Sequence, residues 1–163
     1  MSLPTTENEV VHVPATDNIV GTSLKPASIS IPIRPGFSFT VRGTVKSNFY
    51  QQVPIKLVTN GRTSSGVTFA GHGMGLPMKV KSSGANEWSA QASPLKRSLE
   101  LNIVHGQSDK GPWVQSKVAK PIEIKKSPED GKIHQKFYFT IILSEDWVDN
   151  DYDDAVITVI QWK

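Results

Sequence analysis

Residues 136–163 read KFYFTIILSEDWVDNDYDDAVITVIQWK, and they decide how the rest of the chain is read. Two runs rich in β-branched and aromatic residues, 137–143 and 155–162, have the composition of strands against a core. Between them six of the chain's 15 acidic residues fall in ten positions: Glu145, Asp146, Asp149, Asp151, Asp153 and Asp154. No Lys or Arg lies among them, so this window carries −6 and the rest of the chain +9, against a net charge of +3. Charges this close repel, raising pKa values and destabilising the loop unless something positive is supplied.

A hard divalent cation with many oxygen ligands can accept several carboxylates at once, and calcium suits the loop better than magnesium because its six to eight ligands are loosely arranged. Asp149, Asp151 and Asp153 alternate and Asp154 follows directly, so a curled loop aims them at one or two ions. An EF-hand is excluded: its sixth position is Asp154 where Gly is needed, its twelfth is Ile160 where Glu is needed, and a strand follows in place of a helix. Zinc is disfavoured, since His12, His72, His105 and His134 lie far apart with no ligand spacing. From the acids alone two plainer readings stay open, a solvated acidic loop and a calcium ion that only staples two strands.

Outward from this segment, short apolar or alternating runs recur between turn signals, without sustained helical periodicity. Strands are expected at 27–33, 37–45, 53–58, 67–69, 78–81, 98–104, 121–125, 136–143 and 155–162. Phe37, Phe39 and Val41, and again Leu99, Leu101 and Ile103, alternate with polar residues, as in strands with one face on a core and one in water. The fold class is therefore all-β, a two-sheet antiparallel β-sandwich. Gly71-His72-Gly73-Met74-Gly75 lacks the context of a phosphate loop and is read as a turn. The 163 residues suit one domain, expected over 29–163, with 1–28 a flexible leader or an edge segment laid on it.

Composition narrows the function classes. There are no cysteines, which removes disulfides, thiolate metal sites and cysteine nucleophiles. No apolar stretch is long enough to span a bilayer, and residues 1–20 lack the basic opening and apolar core of a secretory signal. A soluble protein is expected, cytoplasmic or exported without a recognisable signal peptide. The pI of about 9.1 would suit nucleic acid, but the basic residues are scattered singly or in pairs and not interleaved with aromatics. Neither nucleic-acid binding nor membrane insertion is expected.

Ser144-Glu145-Asp146, then Asp149-Asn150-Asp151-Tyr152-Asp153-Asp154-Ala155-Val156, closing on Gln161-Trp162, resembles the calcium-mediated fucose/mannose-binding lectins of bacteria, the LecB-like or fucose-binding lectin II family. That family's pattern is Ser-Glu-Asp-Gly-x-Asp-x-Asp-Tyr-Asn-Asp, followed by an alternating strand ending in Asn/Gln-Trp. Weaker similarity reaches upstream through 98–108 and 31–57. The resemblance implies a β-sandwich with two adjacent calcium ions, coordination of both being completed by hydroxyls of the bound sugar. By matching position, Glu145, Asp149, Asp151 and Asp154 hold one ion, and Asp151, Asp153 and Asp154 the other. Asp146 accepts a hydrogen bond from the sugar, and Asn48 matches an upstream Asn ligand.

The sequence also departs from the pattern. Trp147 stands in place of Gly, where it either stacks on a sugar face or packs in the core. Asp153 replaces Asn and adds a negative charge. The loop after Asn48, Phe49-Tyr50-Gln51, is unlike the small residues typical there. In the family the chain runs past the Trp to a terminal Gly whose carboxylate reaches the partner subunit's calcium; here only Lys163 follows Trp162. The implied protein is a glycan-binding lectin, homodimeric, and not an enzyme. A glycosidase pair such as Glu145 and Asp154 would need one acid and one base in distinct environments, and the cluster offers too many acids at too short a spacing. The alternative is a calcium-stabilised structural or adhesive β-domain without a sugar site.

Overall fold

A computed structural model describes residues 7–10, 28–127, 135–146 and 151–163, with backbone alone for 7–10 and 126–127. Its strands are β1 (Glu7–Val10), β2 (Ile29–Ile33), β3 (Ser38–Thr59), β4 (Arg62–Pro77), β5 (Lys79–Val80), β6 (Glu87–Ala90) and β7 (Arg97–Leu101). The short β8 (Val104–Gly106), β9 (Val114–Gln115) and β10 (Lys117–Val118) follow, then β11 (Ile122–Ser127), β12 (Phe137–Glu145) and β13 (Ala155–Trp162). No helix among the described residues is long and apolar enough to cross a membrane.

The sandwich follows from alternation. β12 and β13 pair antiparallel from Phe137 opposite Trp162 to Ser144 opposite Ala155, which makes the acidic segment the connection of a hairpin. β13 continues onto the first half of β3, Val159 opposite Val41 and Ala155 opposite Val45, while β11 and β1 extend the sheet beyond β12. The second half of β3 pairs with β7, Ile55 opposite Leu101, and β7 with β2, Ile31 opposite Leu99. One core lies between the two layers, with Phe39, Val41, Ile157 and Val159 from the first and Ile31, Ile55, Leu99 and Leu101 from the second. Each such fully buried aliphatic side chain contributes roughly 1.5–3 kcal/mol of transfer free energy.

All-β architecture and the sandwich agree with the sequence reading, but the layers are not separate. β3 and its partner β4 run through both, so hydrogen bonding is continuous between them. The expected strands 37–45 and 53–58 are thus one strand, bent where the β3–β4 register shifts between Ser47 and Gln51. β3 turns into β4 at Asn60-Gly61, both with positive φ (49° and 78°), the backbone that a two-residue hairpin demands.

The Gly-rich stretch 71–75, expected as a turn, is a correction: it belongs to β4. Its glycines serve packing and the bend. A Cβ on Gly71 would come within 2.8 Å of the Val45 side chain, and Gly73 takes a φ of 110° beside the register shift. Within 1–28, Glu7–Val10 forms the edge strand beside β11.

Candidate functional site

The site is built where β12 ends, β13 begins and β3 bends. Ser144 is fully buried, and its hydroxyl donates to the carbonyl of Ala155 at 2.9 Å, closing the base of the hairpin. Asp154 donates its N–H to the Ser144 carbonyl at 3.2 Å, and its own carbonyl accepts the Lys46 N–H at 2.9 Å, tying β3 to the loop.

On this frame the acids are sorted. Glu145, Asp151 and Asp154 each bring one carboxylate oxygen to a common point, all within 4.8 Å of one another. Glu145 and Asp154 are buried and Asp151 is exposed. Glu145 Oε2 accepts the Tyr152 N–H at 3.2 Å, with Tyr152 held at a φ of 55°, a left-handed conformation unfavourable for an aromatic residue and kept here by burial of the ring. Asp154 Oδ2 accepts the Asp146 N–H at 2.8 Å. Burial pushes the Asp154 carboxyl up to about 8, the charges of Asp146 and Glu145 adding to the rise and the Asp146 N–H opposing it. Oxygen donors this close, with the charge on one of them so disfavoured, could hold a hard cation.

Asp153 lines the same cavity beside Asp151 and is engaged by a cation of the chain. Its carboxylate meets Lys46 Nζ at 2.5 Å, and that hydrogen bond is the main reason its pKa lies below the usual range. Asp146 accepts from the Ser47 hydroxyl and, at 2.8 Å, from Gln51 Nε2. Asn48 is exposed; it lines a cavity of about 380 Å³ together with Lys46, Phe49, Met74, Asp146, Asp151, Asp153 and Asp154. Of the site residues read from the sequence, the structure therefore gathers Glu145, Asp146, Asp151, Asp153, Asp154 and Asn48. Asp149 and Trp147 lie outside the described residues.

Ser47 and Lys46 were not read as site residues, and Gln51 only as part of the loop that follows Asn48. A signal existed for two of them: Ser47 and Gln51 stand in phase with Val45, Val53 and Ile55, so polar side chains occupy core-facing positions, and both are buried. For Lys46 no local signal exists, because its partner is more than a hundred positions away.

His105 approaches the site without joining it. Its Nδ1 is 3.0 Å from Ser116 Oγ, and burial lowers its pKa, with the Asp146 and Glu145 charges partly offsetting the drop. His72 stacks on Tyr50 at 4.3 Å and 10°, and its Nε2–H donates to the Asn48 carbonyl at 3.1 Å. Asn48, Phe49 and Tyr50 of β3 face only His72 of β4, so this ring holds the bend that carries Asn48 to the cavity. Lys163, at the chain end, exchanges main-chain hydrogen bonds with Lys136 beyond the Phe137–Trp162 end of the hairpin, opposite the acidic loop.

The structure is similar to the C-terminal domain of the BC2L-C lectin from Burkholderia cenocepacia, at 16% identity over 83% of this chain and 97% of that one, with a TM-score of 0.50. The Chromobacterium violaceum lectin CV2L, solved in complex with alpha-methyl-fucoside, matches at 16% identity over 83% and 96%, TM-score 0.46. A high-affinity mannose-binding lectin from Ralstonia solanacearum matches at 18% identity over 80% and 93%, TM-score 0.48. No curated protein matches the chain by sequence. The family model of fucose-binding lectin II (PA-IIL) matches residues 29–163. With that match spanning the hairpin, the bend and the whole cavity, the chain belongs to the fucose-binding lectin II family, carbohydrate-binding proteins that are not enzymes.

Proposed function

We propose that this lectin binds glycans through calcium, with neutral fucose- or mannose-type sugars as its ligand class. One observation carries the reading: three carboxylates, Glu145 at the end of β12 with Asp151 and Asp154 in the connection to β13, converge within 4.8 Å beside the cavity that Asn48 and Asp146 line. Glu145, Asp151 and Asp154 would hold the ion, with Asp149 and Asn48 as further oxygen donors. Calcium so held supplies open coordination positions at which vicinal hydroxyls replace water without a large desolvation loss.

The remaining steps belong to the chain itself. Asp146, steadied by Ser47 and Gln51, accepts a hydrogen bond from a sugar hydroxyl. Asp151 and Asp154, and Asp149 by the family resemblance, would contact both ion and sugar. Phe49 and Met74 give the cavity an apolar wall, and an aromatic such as Trp147 has the chemistry to stack on a sugar face. A homodimer is proposed from the family and from the general preference for two-fold closed assemblies.

Calorimetry with fucose and with mannose, first in calcium and then in excess chelator, tests this. Binding is expected in calcium and absent in chelator. Equal binding in both conditions would rule the mechanism out, and calcium-dependent melting without competition by any sugar would leave only a structural ion.

A further inference from the structure

The cavity is lined by a cation of the protein's own. Lys46 lies on the outward face of β3, opposite Met74 of β4, and its backbone is fixed by the bond from its N–H to the Asp154 carbonyl at 2.9 Å. From that anchored position its ammonium reaches into the acidic cavity and meets Asp153 Oδ2 at 2.5 Å. One carboxylate of the cavity is therefore already paired with a cation. Glu145, Asp151 and Asp154 converge on one point, while Asp153, which neighbours Asp151 and which the family resemblance assigns to a second ion, is joined to an ammonium.

We infer that the Lys46 ammonium takes the place of a second calcium ion, so that the pocket holds one divalent ion per chain with the lysine beside it. The inference rests on the calcium reading above and deepens it. A second divalent ion bound to Asp153 must first separate that carboxylate from Lys46. It must then remain next to a positive charge whose backbone is tethered to a residue of the site. Like charges a few ångströms apart repel, and a cavity walled by protein screens them less than bulk water does. The substitution also changes how a sugar is held: an ammonium offers N–H donors where an ion would offer coordination positions.

The test is the stoichiometry of calcium on the full chain, read by native mass spectrometry and by calorimetry with calcium chloride alone, so that no sugar enters. The wild type is expected to take up one ion per chain. Lys46→Ala and Lys46→Gln are expected to take up two, the second bound at least tenfold more tightly than any second ion on the wild type, while Lys46→Arg stays at one. Lys46 is half exposed, and two uncharged variants of different size guard against a local packing artefact. Two ions of similar affinity on the wild type overturn the inference alone, and so does a single ion on both uncharged variants. No calcium on any of the four proteins overturns the calcium reading together with it.

Discussion

Replacing Asp154 by Asn separates the electrostatics of the site from its packing. The amide oxygen can still accept the Asp146 N–H now received at 2.8 Å, and the amide N–H₂ can donate to Glu145, whose carboxylate lies beside that of Asp154. Shape and hydrogen bonds survive, and one negative charge is removed. Two unit charges 4.8 Å apart, the limit of the cluster's separations, repel by about 1 kcal/mol at the dielectric of water and about 3.5 kcal/mol at an effective value near 20. In chelator the Asn variant should therefore be more stable than the wild type by about 1–3 kcal/mol at pH 8, which is roughly 2–12 °C in Tm for a chain of this size.

The sign with pH follows from the raised Asp154 carboxyl, at about 8 when folded and near 4 when unfolded. Between these values the folded protein keeps a proton that the unfolded chain has released, so ion-free stability falls as pH rises from 4 to 8 and then levels off. The variant lacks that slope. Calcium is expected to reverse the order: at a hundred times its Kd an ion bound at the site would stabilise the wild type by about 2.7 kcal/mol, and the variant, missing a shared ligand, would gain little. Thermal unfolding at pH 5, 7 and 8, each in chelator and in calcium, reads all of this. A variant less stable than the wild type in chelator at pH 8, or one that gains as much from calcium, would refute the reasoning.

Three further substitutions probe the frame. Gly71→Ala puts a methyl 2.8 Å from Val45 Cγ1 and 3.1 Å from Met78 Cγ in the core, and should cost about 1–3 kcal/mol in denaturant unfolding; an unchanged midpoint would contradict the packing of β4. His72→Ala removes the hydrogen bond to the Asn48 carbonyl and the stack on Tyr50, and should weaken sugar binding about fivefold with calcium affinity unchanged; equal sugar affinity would deny His72 any part in holding the bend. Tyr152→Phe deletes a buried hydroxyl that has no hydrogen-bond partner among the described residues, and should raise stability by up to about 1 kcal/mol; a loss of 2 kcal/mol or more would mean that the hydroxyl is held.

What the sequence disclosed and what it hid divide along the range of the interactions. β13 was legible residue for residue, because eight strand-forming residues lie between an acidic loop and the chain end. Alternation likewise placed Phe39, Val41, Leu99 and Leu101 in the core. The unity of β3 was not legible: Ser47 to Gln52 breaks the hydrophobic pattern, with Ser47 and Gln51 buried against Asp146 where apolar side chains would continue it. Gly71 to Gly75 looked like a turn because glycine tolerates positive φ, whereas its local use is close approach to Val45 and Met78. The acidic cluster was evident, but its division was not, since the cation that claims Asp153 comes from β3. Periodicity reports burial within one element and is silent about which distant element supplies a counter-charge.

That division also predicts how removal of calcium is felt. At the base of the acidic hairpin Ile142, Ser144, Ala155 and Ile157 are fully buried, so the strain of unneutralised charge arises where the frame below is tightly packed. Two loop amides, those of Asp146 and Tyr152, donate to the carboxylates of Asp154 and Glu145, and therefore depend on where those side chains point. Withdrawal of the ion should loosen these side chains and leave the ladder of β12, β13 and β3 intact. In hydrogen exchange followed by mass spectrometry, peptides covering 145–154 should exchange faster in chelator, while those covering 155–162 and 38–45 keep their protection. Loss of protection across both strands would mean that the ion holds the sheets together and that the packed core is not self-sufficient. No change in the loop would mean that the carboxylates are held by their hydrogen bonds alone, which their mutual repulsion makes the least expected state.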